Sequence, residues 1–312
     1  MDHRKATEAD IPEIILLLKK ALGESLIPKS QELWNWKHLH NPFGKSPVIL
    51  ADENGQLVGI RAFLKWEYQV GSETLFACRA VDTATHPDYQ GKGIFKNLSL
   101  SLIEEIKNEG VNLIFNTPNS KSTPGYLKMG WEKWGKLPLK LNFHLTNSKT
   151  KGSLEKTDWH GIKELIDLLE TVSPPCEKVR TRLVPGYLNW RYRDNPLFNY
   201  HYISDGKNYL LIYRIKEGTM GREFRICDFF SSASLSQPME RELNQMLNQR
   251  IKQSGARFSS FSGLTYSDQK NIQLGLIPIL KIGPMVTLRK VNENEEPMNR
   301  DWAWSLGDLE VF

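Results

Sequence analysis

The chain predicts an α/β fold built on a mixed sheet with helices on both faces, written twice in tandem. Alternating apolar runs of strand length lie between amphipathic stretches of helical period, the mark of mixed α/β layers. Segments also recur in the same order at separations of roughly 150 residues, the mark of an internal repeat. Asn35-Trp36-Lys37-His38-Leu39-His40-Asn41-Pro42 returns as Asn189-Trp190-Arg191-Tyr192-Arg193-Asp194-Asn195-Pro196. Asp10–Ile14 echoes Gly161–Leu165, Ala80-Val81-Asp82 echoes Ile226-Cys227-Asp228, and Lys128–Trp131 echoes Gln273–Leu276. Loop-sized drifts in spacing with order kept are what a duplication leaves.

In the first half, a helix is predicted over Asp10–Leu22, with Thr7 or Asp10 as its cap. A short helix carrying Trp34 and Trp36 stops at Asn41-Pro42. Two strands flank Glu53-Asn54-Gly55, a strong hairpin turn, and a turn at Gly71-Ser72 leads into a strand over Thr74–Ala84. Leu98, Leu102, Ile103 and Ile106 recur at helical spacing until Gly110. Val111–Asn116 reads as a strand, Pro124–Lys128 as a short helix and Leu137–Leu145 as the closing strand. The predicted domains are residues 1–146 and 157–291, joined by the polar run 147–156 and followed by a tail, 292–312.

A length of 312 residues suits two domains better than one. The net charge of +5 is modest and its basic residues are dispersed, which argues against a nucleic-acid surface. No apolar h-region follows Met1-Asp2-His3-Arg4-Lys5, and no run approaches the ~20 residues needed to span a bilayer, so a cytoplasmic protein without membrane contact is expected. Cys78, Cys176 and Cys227 lack metal-ligand spacing and read as reduced thiols; no metal site is expected.

The chemistry concentrates at His86-Pro87-Asp88-Tyr89-Gln90-Gly91-Lys92-Gly93-Ile94-Phe95. Two glycines around a lysine, between a strand and a helix, leave backbone N–H groups bare at the positive end of a helix dipole. Such a concavity suits a phosphate or pyrophosphate, although a lone Gly-x-Gly is equally a flexible turn. With Asn119, Ser122, Tyr126, Lys128, Gly130 and Trp131 downstream, the first half resembles the GNAT superfamily of acyl-CoA N-acyltransferases along nearly its whole length. That family's coenzyme loop, Gln/Arg-x-x-Gly-x-Gly/Ala, is matched by Gln90-Gly91-Lys92-Gly93-Ile94-Phe95, with Phe95 departing at the last position.

The resemblance implies acetyl-CoA as co-substrate, a primary amine of a small molecule as acceptor, and direct attack without a covalent enzyme intermediate. Thr83, Ala84 and Thr85 would offer the strand edge, Gln90–Phe95 the diphosphate cradle, and Asn119 and Ser122 further coenzyme contacts. Tyr126 is the candidate acid for the departing thiolate; its structural alternative is a half-buried tyrosine capping the pocket. Asn119 reads equally as a turn asparagine. Alternation places Asp82 on one face with Phe76, Cys78, Ala80 and Ala84, where desolvation would raise its pKa and make it a general base. Its alternative is a buried aspartate satisfied by backbone, Arg79 or Arg61, which the recurrence at Asp228 favours. His86 is a weaker base candidate, and Glu67 and Tyr68 are possible substrate contacts.

The second half has Ser231–Pro238 in place of the glycine loop and Asn271 near the place of Tyr126, so a copy without a coenzyme site is expected. Its aromatics Trp190, Tyr192, Phe198, Tyr200 and Tyr202 read as core. The tail, dense in tryptophan and acid, is expected to dock across an interdomain cleft with Asp308 or Glu310 near the acceptor. The resemblance also extends to two-domain GNAT chains often associated with bacterial surface-polysaccharide pathways, which makes an amino sugar a plausible acceptor. Two rival readings stand beside this one. An acyl-CoA-binding sensor without turnover is kept alive by Phe95, and an aminoacyl-tRNA-dependent transferase of the peptidoglycan type would need no diphosphate loop. Oligomeric state is not readable.

Overall fold

The computed structural model describes residues 1–24, 27–144, 157–172, 177–263 and 281–310. The chain divides into two compact units: residues 1–135 with 285–300 and 312, and residues 136–284 with 301–311. No helix among the described residues is long and apolar enough to cross a membrane.

In the first unit, β1 (Asp2–Lys5) precedes α1 (Ile11–Leu22) and α2 (Gln31–Trp34), which runs on as a π-helical turn over Asn35–Leu39. The hairpin β2 (Val48–Glu53)–β3 (Gln56–Val70) turns on Asn54 and Gly55, both at positive φ as a type I′ turn requires. Strand β4 (Glu73–Thr85), helix α3 (Ile94–Asn108), β5 (Leu113–Asn116), α4 (Thr123–Lys128) and β6 (Glu132–Lys136) follow. The predicted helices and strands up to α4 are present to within a few residues; β1 and β6 were not anticipated.

The sheet order is β1-β2-β3-β4-β5-β13-β6, where β13 is Met285–Lys290. Strands β4 and β5 are parallel, and β13 runs antiparallel to β5. Helix α3 buries Ile94, Leu98, Leu102, Ile103 and Ile106 on one face of the sheet, and α1 buries Ile11, Ile14, Leu17 and Leu18 on the other. Gly59 on β3 lets the first turn of α3 come close: a Cβ there would meet Ile94 Cγ2 at 2.5 Å.

The second unit holds β7 (Leu139–Phe143), α5 (Lys163–Thr171), the two-residue strand β8 (Arg180–Thr181), a π-helical turn over Asn189–Arg193, β9 (His201–Ser204), β10 (Tyr209–Gly218), β11 (Gly221–Ser231), α6 (Gln237–Ser254), β12 (Phe258–Ser262) and α7 (Leu306–Leu309). Its sheet order is β7-β12-β11-β10-β9, again with one parallel pair, β11–β12, closed by an antiparallel strand. The segment expected to close the first domain therefore closes the second sheet, and in the first sheet β13 lies between β5 and β6. The expected boundaries at 146 and 291 differ from these units because each sheet takes the antiparallel strand beside its parallel pair from a distant part of the sequence. Alternation specifies that 139–143 is a strand but not which sheet it joins.

The tail belongs to the second unit. Ser305 and Asp308 form a capping box at α7, and the Ser305 hydroxyl donates to Asp228 Oδ2 at 2.7 Å. Thr181 also donates to Asp308, and Glu310 is paired with Arg214 and Arg225. Asp308 and Glu310 are thus engaged within this unit, not free carboxylates waiting for an amine. The carbonyl of Trp304 lies where a Cβ on Gly263, just beyond β12, would approach within 2.8 Å.

Burial raises the pKa of Asp228, with Asp308 adding to it, and burial raises that of Asp308. The folded protein then holds protons that the unfolded chain releases at about pH 4, so these groups' contribution to stability falls as pH rises from there toward neutrality. The urea midpoint of Asp228→Asn relative to wild type should therefore increase between pH 5 and pH 8. A difference independent of pH over that range would mean that this carboxyl is ionised throughout.

Candidate active site

The site begins where β4 leaves β5. The two strands pair from Ala77↔Leu113 to Arg79↔Phe115 and no further, so the edge of β4 from Ala80 onward faces a gap. A bulge sharpens the parting. Arg61 pairs with Thr83 and Ala62 with Val81, leaving Asp82 as the extra residue, at φ +37°. A non-glycine residue rarely adopts this conformation, and aspartate is among the few that tolerate it.

The bulge also reverses the strand. Below it Cys78 and Ala80 face the α3 core; above it Ala84 faces the α1 core. Strict alternation, which would place residues 78, 80, 82 and 84 on one face, fails here for that reason. Phe76 is half exposed and outside the cluster.

Asp82 points toward the π-helical turn, where its Oδ2 lies 2.8 Å from both Lys37 Nζ and His38 Nε2. Lys37 and His38 are both buried. Burial pushes Asp82 up, but the Lys37 ammonium and the His38 hydrogen bond outweigh it and hold the carboxyl well below the usual range. Burial lowers the pKa of His38, which leaves it neutral near pH 7. A neutral ring that donates from Nε2 to a carboxylate must accept at Nδ1, and Ser46 Oγ lies 2.9 Å away to donate there. The expected raised pKa of Asp82 is thus reversed, and its partners are neither Arg79 nor Arg61. In the second unit the bulged residue is Cys227, because Ile212 pairs with Asp228 and Tyr213 with Ile226. Asp228 is therefore one place away from the counterpart of Asp82, and its hydrogen bond comes from Tyr192 Oη at 2.8 Å.

Above the bulge a cavity of about 580 Å³ opens, lined by Thr83, Ala84 and Thr85 on one side and Gln90, Gly91, Gly93, Ile94, Phe95 and Ser122 among others. Nine of the residues singled out in the sequence meet there. Gly91 and Gly93 have φ of +78° and +77°, and Gly93 is the N-cap of α3, so the glycines are required by backbone conformation. The first N–H groups of this 15-residue helix have no intrahelical acceptor, and its residues Ile94, Phe95 and Lys96 line the cavity. Lys96 and Lys121, which sequence reasoning passed over, add positive charge to the same lining. Phe95 turns its ring edge-on to Tyr126, centroids 5.4 Å apart, and lies against Gly125.

Lys92, Asn119 and the two catalytic candidates, Tyr126 and Asp82, do not line this cavity. Lys92 Nζ sits 4.5 Å over the Tyr89 ring. Asn119 Oδ1 accepts from the backbone N–H of Lys121 and Ser122, and its carbonyl from Thr123, which makes it the turn before α4. His86 caps a short turn by accepting from Asp88 N at 3.3 Å, and Tyr68 is buried edge-on to Phe115. Tyr126 is buried on α4, packed against Phe95 and Trp131, and its phenol oxygen accepts from Arg61 Nη1 at 2.8 Å. Strand β13 fixes α4 from behind: Arg289 Nε donates to the Met129 carbonyl at 2.7 Å. Burial pushes the Cys78 thiol up to about 12, which removes it as a nucleophile at neutral pH. Cys176 and Asn271 lie outside the described residues, as does the segment Gln273–Leu276.

Lys37, His38 and Arg61 were not singled out as site residues. The repeated Asn-Trp-Lys/Arg segment and a lone arginine within the apolar run Val58–Leu64 were the signals available for them. Removing the Asp82 charge leaves Lys37 buried without its partner. Asp82→Asn should accordingly cost about 3–5 kcal/mol of stability, read by urea denaturation at pH 7. An unchanged midpoint would show that the pair contributes nothing.

Residues 2–134 match the model of the acetyltransferase (GNAT) domain. No curated protein matches the chain. Among solved structures, a GCN5-related N-acetyltransferase from Anabaena variabilis superposes with a TM-score of 0.65 at 16% identity, over 93% of this chain and 73% of that one. Eis1 from Mycobacterium abscessus gives 0.57 at 13% identity, over 94% and 74%. N-myristoyltransferase from Saccharomyces cerevisiae, solved with bound myristoyl-CoA, gives 0.53 at 10%, over 93% and 82%. At these identities the structures speak for a shared fold, while the domain match covers the bulge, the glycine loop and α4 together. The N-terminal region is therefore a GNAT acetyltransferase domain, and the protein that carries it is an acyltransferase.

Proposed function

We propose that the protein moves an acetyl group from acetyl-CoA to a primary amine of a small molecule, by direct attack while both substrates are bound. The observation that carries this reading is the continuity of one cavity from the N-terminus of α3 to the free edge of β4. The N–H groups of the loop and of the first turn of α3 would hold the diphosphate, with Lys96 and Lys121 beside them. The pantetheine arm would run along Thr83–Thr85, and the thioester would reach the gap between β4 and β5. Backbone N–H groups on that edge would stabilise the oxyanion, and Tyr126 would protonate the departing sulfur. Asn119 would act by shaping the turn under Ser122, and Lys92 by its charge near the loop.

Asp82 is better suited to organising this site than to taking a proton from the amine, since a carboxylate held low by two buried donors is a weak base. Its carboxylate locks the bulge that points Thr83–Thr85 at the cavity. For the acceptor, amino sugars are the class to test first, alongside polyamines and amino acids.

We also propose that the second unit is a duplicate of the first that has lost its coenzyme site. Both units carry a π-helical turn at the repeated Asn-Trp segment, a bulge in the first strand of the parallel pair, and an antiparallel strand beside that pair. In the second unit, the place where β11 and β12 part is crossed by residues 304–310, held by Asp228, Arg214 and Arg225. No glycine loop stands before α6.

Three measurements test the first reading. Millimolar CoA should raise the melting temperature, and Gly93→Asp should abolish that rise, because a carboxylate and a Cβ would enter the anion cradle. Tyr126→Phe should lower kcat about 10²–10³-fold while acetyl-CoA affinity stays within a factor of about two. An unchanged kcat would remove Tyr126 as the acid. If acetyl-CoA binds but no amine in the panel releases free thiol, the protein senses the coenzyme instead of using it.

A further inference from the structure

Arg61 projects from β3 into the core beneath the cavity and is fully buried, at 0% exposure. Its guanidinium has no carboxylate partner among the described residues. It stands 4.7 Å from the Phe63 ring, 5.7 Å from Phe95 and 5.3 Å from Tyr126, an aromatic box that offsets part of its desolvation. Nη1 donates to Tyr126 Oη, while Nε and Nη2 are buried without a hydrogen-bond partner among the described residues. A buried cation so poorly paired weakens the fold relative to an apolar side chain of the same size, which calls for another reason to keep it.

The Tyr126 phenol supplies that reason. A guanidinium has donors and no acceptor, so its bond to Oη occupies a lone pair and forbids the phenol hydrogen from pointing back at Arg61. Among the described residues that hydrogen finds no acceptor. The ring is held on its other sides by Phe95 and Trp131. The O–H is thus fixed, uncommitted, one ring away from a cavity that Phe95 and Gly125 line.

We infer that Arg61 is a positioning residue for the acyl transfer: it orients the Tyr126 phenol as a proton donor and holds the phenolate once the proton has gone. The inference rests on the acyltransferase reading proposed above. In the step concerned, the amine nitrogen bonds to the thioester carbon, the C–S bond breaks with its electron pair on sulfur, and that sulfur takes the Tyr126 proton. The amine loses one proton to solvent and the phenolate regains one from solvent, so the products are an amide and free thiol. Arg61 stays charged throughout and gives the anionic intermediate state a partner that is already in place, without reorganisation.

The test compares wild type, Arg61→Met, Arg61→Lys, Tyr126→Phe and the Arg61→Met/Tyr126→Phe double variant in the full chain. Thiol release gives kcat and KM, calorimetry gives acetyl-CoA affinity, and thermal denaturation gives Tm. Arg61→Met should lower kcat about 10²-fold with both KM values and coenzyme affinity within a factor of about two, and with Tm unchanged or raised. Arg61→Lys, which returns the charge without the fork, should recover part of the loss. The double variant should be no slower than Tyr126→Phe alone, because the two act as one unit. An Arg61→Met protein with wild-type kcat, or one whose only change is a lower Tm, overturns the inference while wild-type turnover leaves the parent reading standing. Wild type that neither binds acetyl-CoA nor releases thiol overturns both. If Arg61→Met does not fold, an Arg61→Lys loss in kcat that multiplies with that of Tyr126→Phe in an Arg61→Lys/Tyr126→Phe double variant overturns it equally.

Discussion

A carboxylate on a left-handed residue in the middle of a sheet strand needs strong partners, and Asp82 has two: the buried ammonium of Lys37 and the ring of His38. Much of the first unit's architecture depends on that contact. The bulge it secures reverses the sidedness of β4, so the strand serves the α3 core below and the α1 core above. The same bulge coincides with the point at which β4 leaves β5, and the free strand edge beyond it lines the cavity. The partners come from a π-helical turn, whose extra residue per turn brings two neighbouring side chains, Lys37 and His38, to one carboxylate oxygen.

Around that frame the cavity walls and Tyr126 are supported from behind. The glycine loop needs positive φ at two positions to turn the start of α3 toward the cavity, and Gly59 lets that turn rest on the sheet. Helix α4 carries Tyr126 and is tied at its far end by Arg289 of β13 and at its near end by the turn centred on Asn119. Aromatic packing against Phe95 and Trp131 leaves the phenol little rotational freedom, and Arg61 settles the direction of its proton. Phe95, the departure from the usual glycine or alanine, has a structural place here: its ring is part of the wall that holds the Tyr126 phenol.

The second unit has a comparable frame with different contents. Its bulge carries Cys227, its neighbouring carboxylate Asp228 takes hydroxyl donors in place of an ammonium, and a segment of the chain itself occupies the parting of the strands. Two buried carboxyls and two arginines fix that segment, a far more polar arrangement than packing alone would need.

What the sequence determined alone was local: the hairpin at Asn54-Gly55, the period of α1 and α3, the glycine loop at a helix start, and the residues that meet around the cavity. The first three follow from backbone preference and from periodicity, which act over a few residues, and the last from the resemblance to the GNAT motifs. Tertiary structure decided which sheet received the strands 139–143 and 285–290, since alternation marks a strand without naming its neighbour. It decided the state of Asp82, because one inserted residue turns a side chain to the opposite face and the sign of a pKa shift depends on which charges wait there. It also decided the place of Arg61, whose meaning lies in a phenol 65 positions away along the chain and 2.8 Å away in space.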